Sequence, residues 1–449
     1  MSAPRGTTAR LGGWGNYPRA DVEALELPSP LALERDPEGA REWSAEPAIA
    51  RGMGRSYGDS ALAPRVLGMT GNDRLLAFDD DTGVLVCEGG VTLDTIARRF
   101  VSRGWFLPVT PGTRFVTVGG AVASDVHGKN HHADGSFGDH VRWLKLLLAD
   151  GSVVTCSPDR ERELFLATTG GMGLTGVVLE VALRLRRVES PWMVQRVRRL
   201  PDLTAVMAAF EASAEATYSV AWIDCLKRGA GLGRSVFITG EHAGADEAAG
   251  LGAPPEPKRR SVPFFLPGAV LNPWSVRAFN ALYHRRAPRD HTGPTPLDPF
   301  FYPLDAVAHW NRIYGRRGFV QYQFVIPLAA GREGLAAILD SIAASGQGSF
   351  LAVLKLCGPG NEGYLSFPMA GWSLALDFPA TPRALRLLKT LDAMVREQGG
   401  RLYLTKDARM DAAMLEAGYP RLAHFLEVKR RVDPDGRWTS LQSRRLGLT

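Results

Sequence analysis

The sequence predicts an α+β chain of two domains, and three observations lead there. At 449 residues it exceeds the length at which one hydrophobic core usually stops growing, so two cores are expected. Up to about residue 190, short strand-like and helical runs mix irregularly. Beyond it, longer strand-like runs alternate with a few helices, the pattern of an antiparallel sheet with one helix-covered face.

In the first part, Gly83–Cys87 reads as a short strand closed by Gly89-Gly90. Thr92 has the position of an N-cap, and LDTIARRFVSRG after it carries apolar residues at helical spacing up to Gly104. Runs at 141–148 and 153–156 flank Asp150-Gly151, which predicts a hairpin. Residues 160–168 read as a helix and 177–186 as a long strand. In the second part WMVQRVRRL, YSVAWIDCL, GFVQYQFVIP, SFLAVLKLCG and WSLALDFP read as strands, with helices near 203–212, 334–345 and 382–399. Residues 226–300 interrupt that pattern with Gly, Ala, Pro and charge, and read as a mobile insertion. Inside it, Lys258-Arg259-Arg260 precedes Phe264, Phe265, Leu266, Val270, Leu271 and Trp274. Two readings stand side by side: peripheral contact with a membrane or lipid chain, or a loop folded back on its own domain.

Bulk properties bound the function. A chain that is 45% hydrophobic and 22% charged has an ordinary globular balance. Cys87, Cys156, Cys225 and Cys357 are widely spaced with no CxxC pair, which argues for buried, reduced thiols rather than a zinc ribbon. The amino terminus shows neither an apolar signal core nor an adjacent arginine pair, so a cytoplasmic location is expected, with room for contact at the inner membrane face. No uninterrupted apolar run reaches the roughly 18 residues of a membrane span. Net charge is +6, gathered in clusters such as Arg285-Arg286, Arg316-Arg317, Lys429-Arg430-Arg431 and Arg444-Arg445. Solvated surface, phosphate-bearing ligands and anionic lipid all fit them; no nucleic-acid motif accompanies them, so no nucleic-acid partner is expected.

The richest segment is PVTPGTRFVTVGGAVASDVHGKNHH, Pro108 to His132. Glycines without a Cβ let backbone N–H groups approach a large anionic cofactor. RGMGRSYGDS, residues 51–60, is a second glycine-punctuated loop. Gly171-Met172-Gly173-Leu174-Thr175-Gly176 matches G-x-G-x-x-G, but a helical pattern precedes it and a strand follows. A dinucleotide-binding turn needs the reverse order, so a nicotinamide site is not expected there. The histidines of HGKNHH lack familiar metal-ligand spacing, and no metal is expected.

Taken together, RGMGRSYGD, TPGTRFVTVGGAVASDVHG and GGMGLTGVV resemble the vanillyl-alcohol-oxidase type of FAD-dependent oxidoreductase, with its PCMH-type FAD-binding fold. HGKNHHADGSFGDHV, WNRIYG, QYQFVIP, LSFPMAGW, RLYLTKDAR and the tail VDPDGRW narrow the likeness to the branch that oxidises polyprenylphosphoryl ribose. The resemblance runs from about Gly12 to the carboxyl terminus. It implies an FAD-binding domain of residues 1–190 completed by 401–449, a substrate domain of 191–400, and a flavin between them.

It also implies roles. Tyr57 stands where many members carry the histidine that attaches FAD, so non-covalent FAD is expected. Cofactor contacts are expected from Arg51, Gly52, Met53, Gly54, Arg55, Ser56 and Tyr57. A second set is Pro111, Gly112, Thr113, Thr117, Val118, Gly119, Gly120, Ala123 and Ser124. His127, Gly128, Asn130, Gly173, Gly176, Val177, Tyr403 and Lys406 complete the cofactor site. The substrate site is expected at Lys129, Trp222, Gln321, Gln323, Lys355, Ser373 and Ala375. Lys406, Tyr57 and His127 are the catalytic candidates, with Lys406 acting as a base or as a hydrogen-bond donor. The chain departs from actinobacterial members, which have Asn and Cys where Ser373 and Ala375 stand; Phe300-Phe301-Tyr302 is a further departure.

The implied reaction is oxidation of the 2-hydroxyl of a polyprenylphosphoryl ribose to a 2-keto intermediate. A separate NAD(P)H-dependent short-chain reductase would complete epimerisation to the arabinose form for cell-envelope glycan. The alternatives are oxidation of a soluble sugar, alditol or aldonolactone, and a non-catalytic flavoprotein scaffold in a membrane glycan complex.

Overall fold

The computed structural model describes residues 6–256 and 260–449, so Met1 to Arg5 and, in the first basic cluster, Lys258 and Arg259 lie outside the described residues. Three main sheets carry the fold. The first has strands Thr7–Gly12, Arg19–Glu26, Arg65–Gly68 and Ala48–Arg51 in that spatial order. Its first pair is antiparallel and the rest parallel. The second is antiparallel, ordered Leu75–Asp79, Val84–Glu88, Val177–Arg184, Val141–Leu147, Val153–Cys156.

The predicted hairpin forms, with Gly151 at φ 83°, as its tight turn requires. Thr92 caps the helix Leu93–Phe100 by accepting from the Thr95 N–H at 3.1 Å, and Gly104 ends the turn after it at φ 78°. The G-x-G-x-x-G run follows the helix Arg162–Thr168 and opens the strand Val177–Arg184, the reverse of the order in a dinucleotide-binding turn.

The third sheet has eight antiparallel strands. Their order is Asp290–Pro296, Trp192–Leu200, Ser235–His242, Tyr218–Ile223, Ala352–Cys357, Gly371–Pro379, Phe319–Pro327 and Arg401–Leu402. Helices Leu203–Glu211, Gly331–Ser345 and Pro382–Glu397 cover one face, burying Phe210, Ile338, Ile342, Leu388 and Leu391 against Phe237, Phe324, Leu374 and Leu376. The other face looks toward the glycine loops.

Two expectations need correction. The stretch 226–300 is not one mobile insertion: Ser235–His242 pairs between two strands, and Asp290–Pro296 forms the sheet edge. SVFITGEH has the β-branched and aromatic side chains of a central strand, whereas prolines at 294 and 296 suit an edge that needs fewer donors. Residues 401–402 still belong to the large sheet, where they pair with Val325 and Phe324 before the chain turns back. Within the segment 108–132 the glycine run is helical. Thr117 accepts from the Gly120 N–H at 3.1 Å and starts a short helix, Val118–Ala123.

After residue 403 the chain returns to the first sheet. Trp438 is fully buried beside Ala48, whose N–H donates to the Arg437 carbonyl at 2.8 Å. No helix among the described residues is long and apolar enough to cross a membrane.

Candidate active site

A cavity of about 770 Å³ lies between the glycine loops and the open face of the large sheet. Two glycines seat the walls together. A Cβ on Gly52 would strike the Thr117 side chain of the second loop, and one on Gly58 would strike the Asp407 carbonyl. Only a residue without a side chain permits those approaches. The Tyr57 N–H then donates to the Thr405 carbonyl at 3.0 Å, and Arg445 spans Asp59 and Asp407 at 2.8 Å each. The tail thereby fixes the 403–407 segment against the first loop.

The sheet supplies the opposite wall through the period of two. Trp222 pairs with Val353, Val353 with Ala375, and Ala375 with Gln323, one straight row across four strands. All four line the cavity, as do Lys355 and Ser373 of the next row and Gln321. Gln323 Nε2 donates to His127 Nε2 at 3.0 Å and to Ser373 Oγ at 3.3 Å, which leaves the imidazole proton on Nδ1. Trp222 donates to the Phe350 carbonyl at 2.9 Å, and Gln321 to the Asp377 carboxylate at 2.7 Å.

Charge is concentrated here. Lys406 Nζ stands 3.9 Å from the centroid of the Tyr57 ring. Withdrawal from bulk water pushes the Lys406 ammonium down to about 7; Asp377 opposes the shift and Lys355 adds to it. Lys129, which donates to the Phe300 carbonyl, is likewise pushed down to about 7 by burial and then by Lys355. Burial lowers Lys355 too. His127 is driven well below its usual range by burial first and the nearby lysines second, so it is a neutral imidazole. The Tyr57 hydroxyl is pushed up by burial and by Asp377. Asp377 itself, fully buried, is raised to about 7 by desolvation, against the pull of Gln321 and Lys406.

Most sequence-predicted residues meet in this cavity. Gly52 to Tyr57, Pro111 to Thr113, Thr117, Gly119, Gly120, Ala123, Ser124, His127, Gly173, Gly176, Val177, Tyr403 and Lys406 line it, with every residue of the expected substrate set. Four do not. Arg51 turns away and donates to the Gly12 carbonyl at 2.7 Å. Val118 is core, Gly128 is tucked behind the wall, and Asn130 braces the loop by donating to the Pro108 carbonyl at 2.8 Å and to Asp134. The histidines of HGKNHH go three ways: His127 to Gln323, His131 to the Gly358 N–H, and His132 to the Ala216 carbonyl.

Sequence reasoning missed the wall at 299–310. It is pinned to the second loop by the Arg114–Asp298 ion pair, by the Arg114 N–H on Asp305 at 3.0 Å, and by Thr110 with Tyr302 at 2.8 Å. The aromatic run Phe300-Phe301-Tyr302 and Trp310 of WNRIYG were its signals.

FAD fits this site. A Cβ at Gly112 would meet open space, so the second loop presents bare backbone to the cavity. His127 Nδ1 is buried with no partner among the described residues, a donor left for a ligand. An apolar, backbone-lined cleft of this size with a few convergent polar groups is the usual form of a cofactor site. The glycine loops would hold the pyrophosphate, and Tyr57, His127, Tyr403 and Lys406 would border the ring.

Fold and site thus define a flavin-dependent oxidoreductase. A model of the FAD binding domain family matches residues 42–157. The decaprenylphosphoryl-beta-D-ribose oxidase of Mycolicibacterium smegmatis is 38% identical over 98% of both chains. An uncharacterized protein from the mprA 5' region of Streptomyces coelicolor is 37% identical over 80% of this chain and all of its own. A putative D-arabinono-1,4-lactone oxidase of Neurospora crassa is 26% identical over 30% of this chain and 24% of its own. The chain belongs to the decaprenylphosphoryl-beta-D-ribose oxidase family of FAD-dependent oxidoreductases acting on CH–OH groups.

Proposed function

We propose that the protein oxidises the 2-hydroxyl of a polyprenylphosphoryl ribose to the 2-keto form. One observation carries the reading beyond the family relationship: Lys129, Lys355 and Lys406 share one cavity, and only Lys406 has a carboxylate, Asp377, opposing its shift. Buried ammonium groups without counter-charges are costly, and a phosphate-bearing ligand supplies the missing charge.

FAD, when bound, supplies the two-electron acceptor for the hydride leaving the sugar carbon. The chain's residues do the rest. Lys406, half neutral near pH 7, takes the hydroxyl proton, and the Tyr57 face beneath it holds the amine in place. Gln321, Gln323 and Ser373 orient the ring hydroxyls from the open face of the sheet. Lys129 and Lys355 take the phosphate, and the prenyl chain leaves over apolar side chains. Residues 1–190 with the tail hold FAD non-covalently, and the sheet domain holds the sugar. A ketone at this carbon must be reduced from the opposite face to invert it, so a separate NAD(P)H-dependent reductase consumes the product.

Anaerobic stopped-flow spectroscopy tests the assignment. Lipid-linked ribose phosphate should bleach the flavin much faster than free ribose, alditols or aldonolactones. Equal rates would move the function to soluble sugars. Bound FAD that no sugar reduces would leave a non-catalytic flavoprotein.

A further inference from the structure

We infer that the segment from Phe264 to Arg289 is a docking surface for an anionic lipid bilayer, placed at the mouth of the cavity. Seven of the eleven large apolar side chains exposed among the described residues fall between 264 and 283. Trp274 is 78% exposed and Phe264 63%, far beyond what a folded-back loop would leave in water. The helix Pro273–Arg286 buries only Val276 and Asn280, one turn apart on its inner side. By helical spacing Trp274, Ala278, Ala281 and Leu282 share the outer side with Arg277 and Arg285.

The charge pattern selects the partner. From 257 to 289 the sequence has seven Lys and Arg residues and no Asp or Glu. An apolar helix face rimmed by arginines only suits anionic headgroups, and repels a second copy of itself. Position agrees. Tyr283, from the same helix, lines the cavity and lies 4.6 Å, ring to ring, from Trp222 of the substrate row. Phe279 packs on Phe350, which receives the Trp222 N–H. A lipid-linked molecule held in the cavity would leave it beside this face. Exposure and charge mark this surface, which rests on the proposed lipid-linked substrate only for its place beside the cavity and does not depend on the sugar.

Flotation of the FAD-loaded protein with vesicles tests it. The expected result is binding to phosphatidylglycerol-containing vesicles, weak binding to pure phosphatidylcholine, and loss in high salt. Trp274→Asp combined with Leu282→Asp should weaken binding at least about tenfold, and Arg277→Glu with Arg285→Glu by roughly as much or more. Flavin absorbance and Tm should stay unchanged in each variant, which separates lost docking from misfolding. Wild-type protein that fails to float, or variants that float as well as wild type, would overturn the inference. So would a dimer that the Asp pair breaks without any vesicle binding. Failure here leaves flavin reduction by a short-chain sugar phosphate untouched, so it is distinguishable from failure of the proposed reaction.

Discussion

Lys406 Nζ stands 3.9 Å from the centre of the Tyr57 ring, a contact between opposite ends of the chain that sets the chemistry of the cavity. Desolvation disfavours the ammonium form most strongly, Asp377 opposes that and Lys355 adds to it, so the amine settles at about 7.

That balance predicts a pH profile. Lysine normally stays charged far above neutrality; here the neutral base exists above about 7. The rate of flavin reduction should therefore rise from pH 6 to 8 with a midpoint near 7. Lys406→Met should lower it by roughly 10²–10⁴-fold, flatten the profile and leave the FAD in place. Lys406→Arg should not rescue, since a guanidinium keeps its proton. A flat wild-type profile, or an active arginine variant, would remove Lys406 from proton transfer.

The phosphate lysine Lys129 predicts proton uptake. At pH 8 Lys129, pushed down to about 7, is mostly neutral. A phosphate-bearing ligand beside it favours its charged form, so binding should draw in up to about one proton, while Lys406 stays neutral as the base. Below pH 6 Lys129 is already charged and uptake should vanish. Calorimetry in buffers of different ionisation enthalpy reads this directly. Lys129→Met should reduce the uptake and raise KM more than it lowers kcat; uptake that is zero at pH 8 contradicts the phosphate assignment.

Half of this site is legible in the sequence, for a physical reason. Loops that must come close to one another or to a cofactor need glycine, and Gly52 and Gly58 show it. Only the family resemblance points to Trp222, Gln323 and Ala375 as substrate-site residues, because their alignment with Val353 across four distant strands depends on pairings that no local pattern encodes. The same limit hid the strand Ser235–His242 inside an apparent insertion, where its Gly- and Ala-rich flanks dominated the composition. The wall at 299–310 escaped notice because tertiary anchors such as Arg114–Asp298 hold it in place.

The row makes a prediction about thiols. All four cysteines are buried and pushed up to about 12 by desolvation, so the native protein should resist maleimide. Ala375 faces the cavity opposite Gln323 and Val353. Ala375→Cys should label at one site by mass spectrometry, and a bound phosphate-bearing ligand should protect it. Labelling of the wild type would contradict the burial of the native thiols, and no labelling of the variant would mean that position 375 does not open onto the cavity.

Asp125 ties the cofactor wall to the sheet domain and yields the last prediction. Its carboxylate is fully buried and accepts from the Gly138 N–H and Asn361 Nδ2 at 2.9 Å each, and from Ser366 Oγ. Ser366 precedes Phe367, which stacks on Tyr403 at 4.6 Å; the Tyr403 hydroxyl returns to the Ser124 carbonyl at 2.8 Å. Removing the carboxylate strands three donors, so Asp125→Ala should cost about 2–4 kcal/mol and loosen FAD retention through Tyr403 and His127. Burial raises the acid to about 6, against the usual value near 4. The folded state then binds the extra proton between those values, so this group's contribution to stability falls as pH rises through about 6 and levels off above it. Tm measured from pH 4 to 8 for wild type and Asp125→Asn should differ by that slope, the variant being flatter. Parallel curves would show that Asp125 keeps its ordinary acidity and acts only as a hydrogen-bond acceptor.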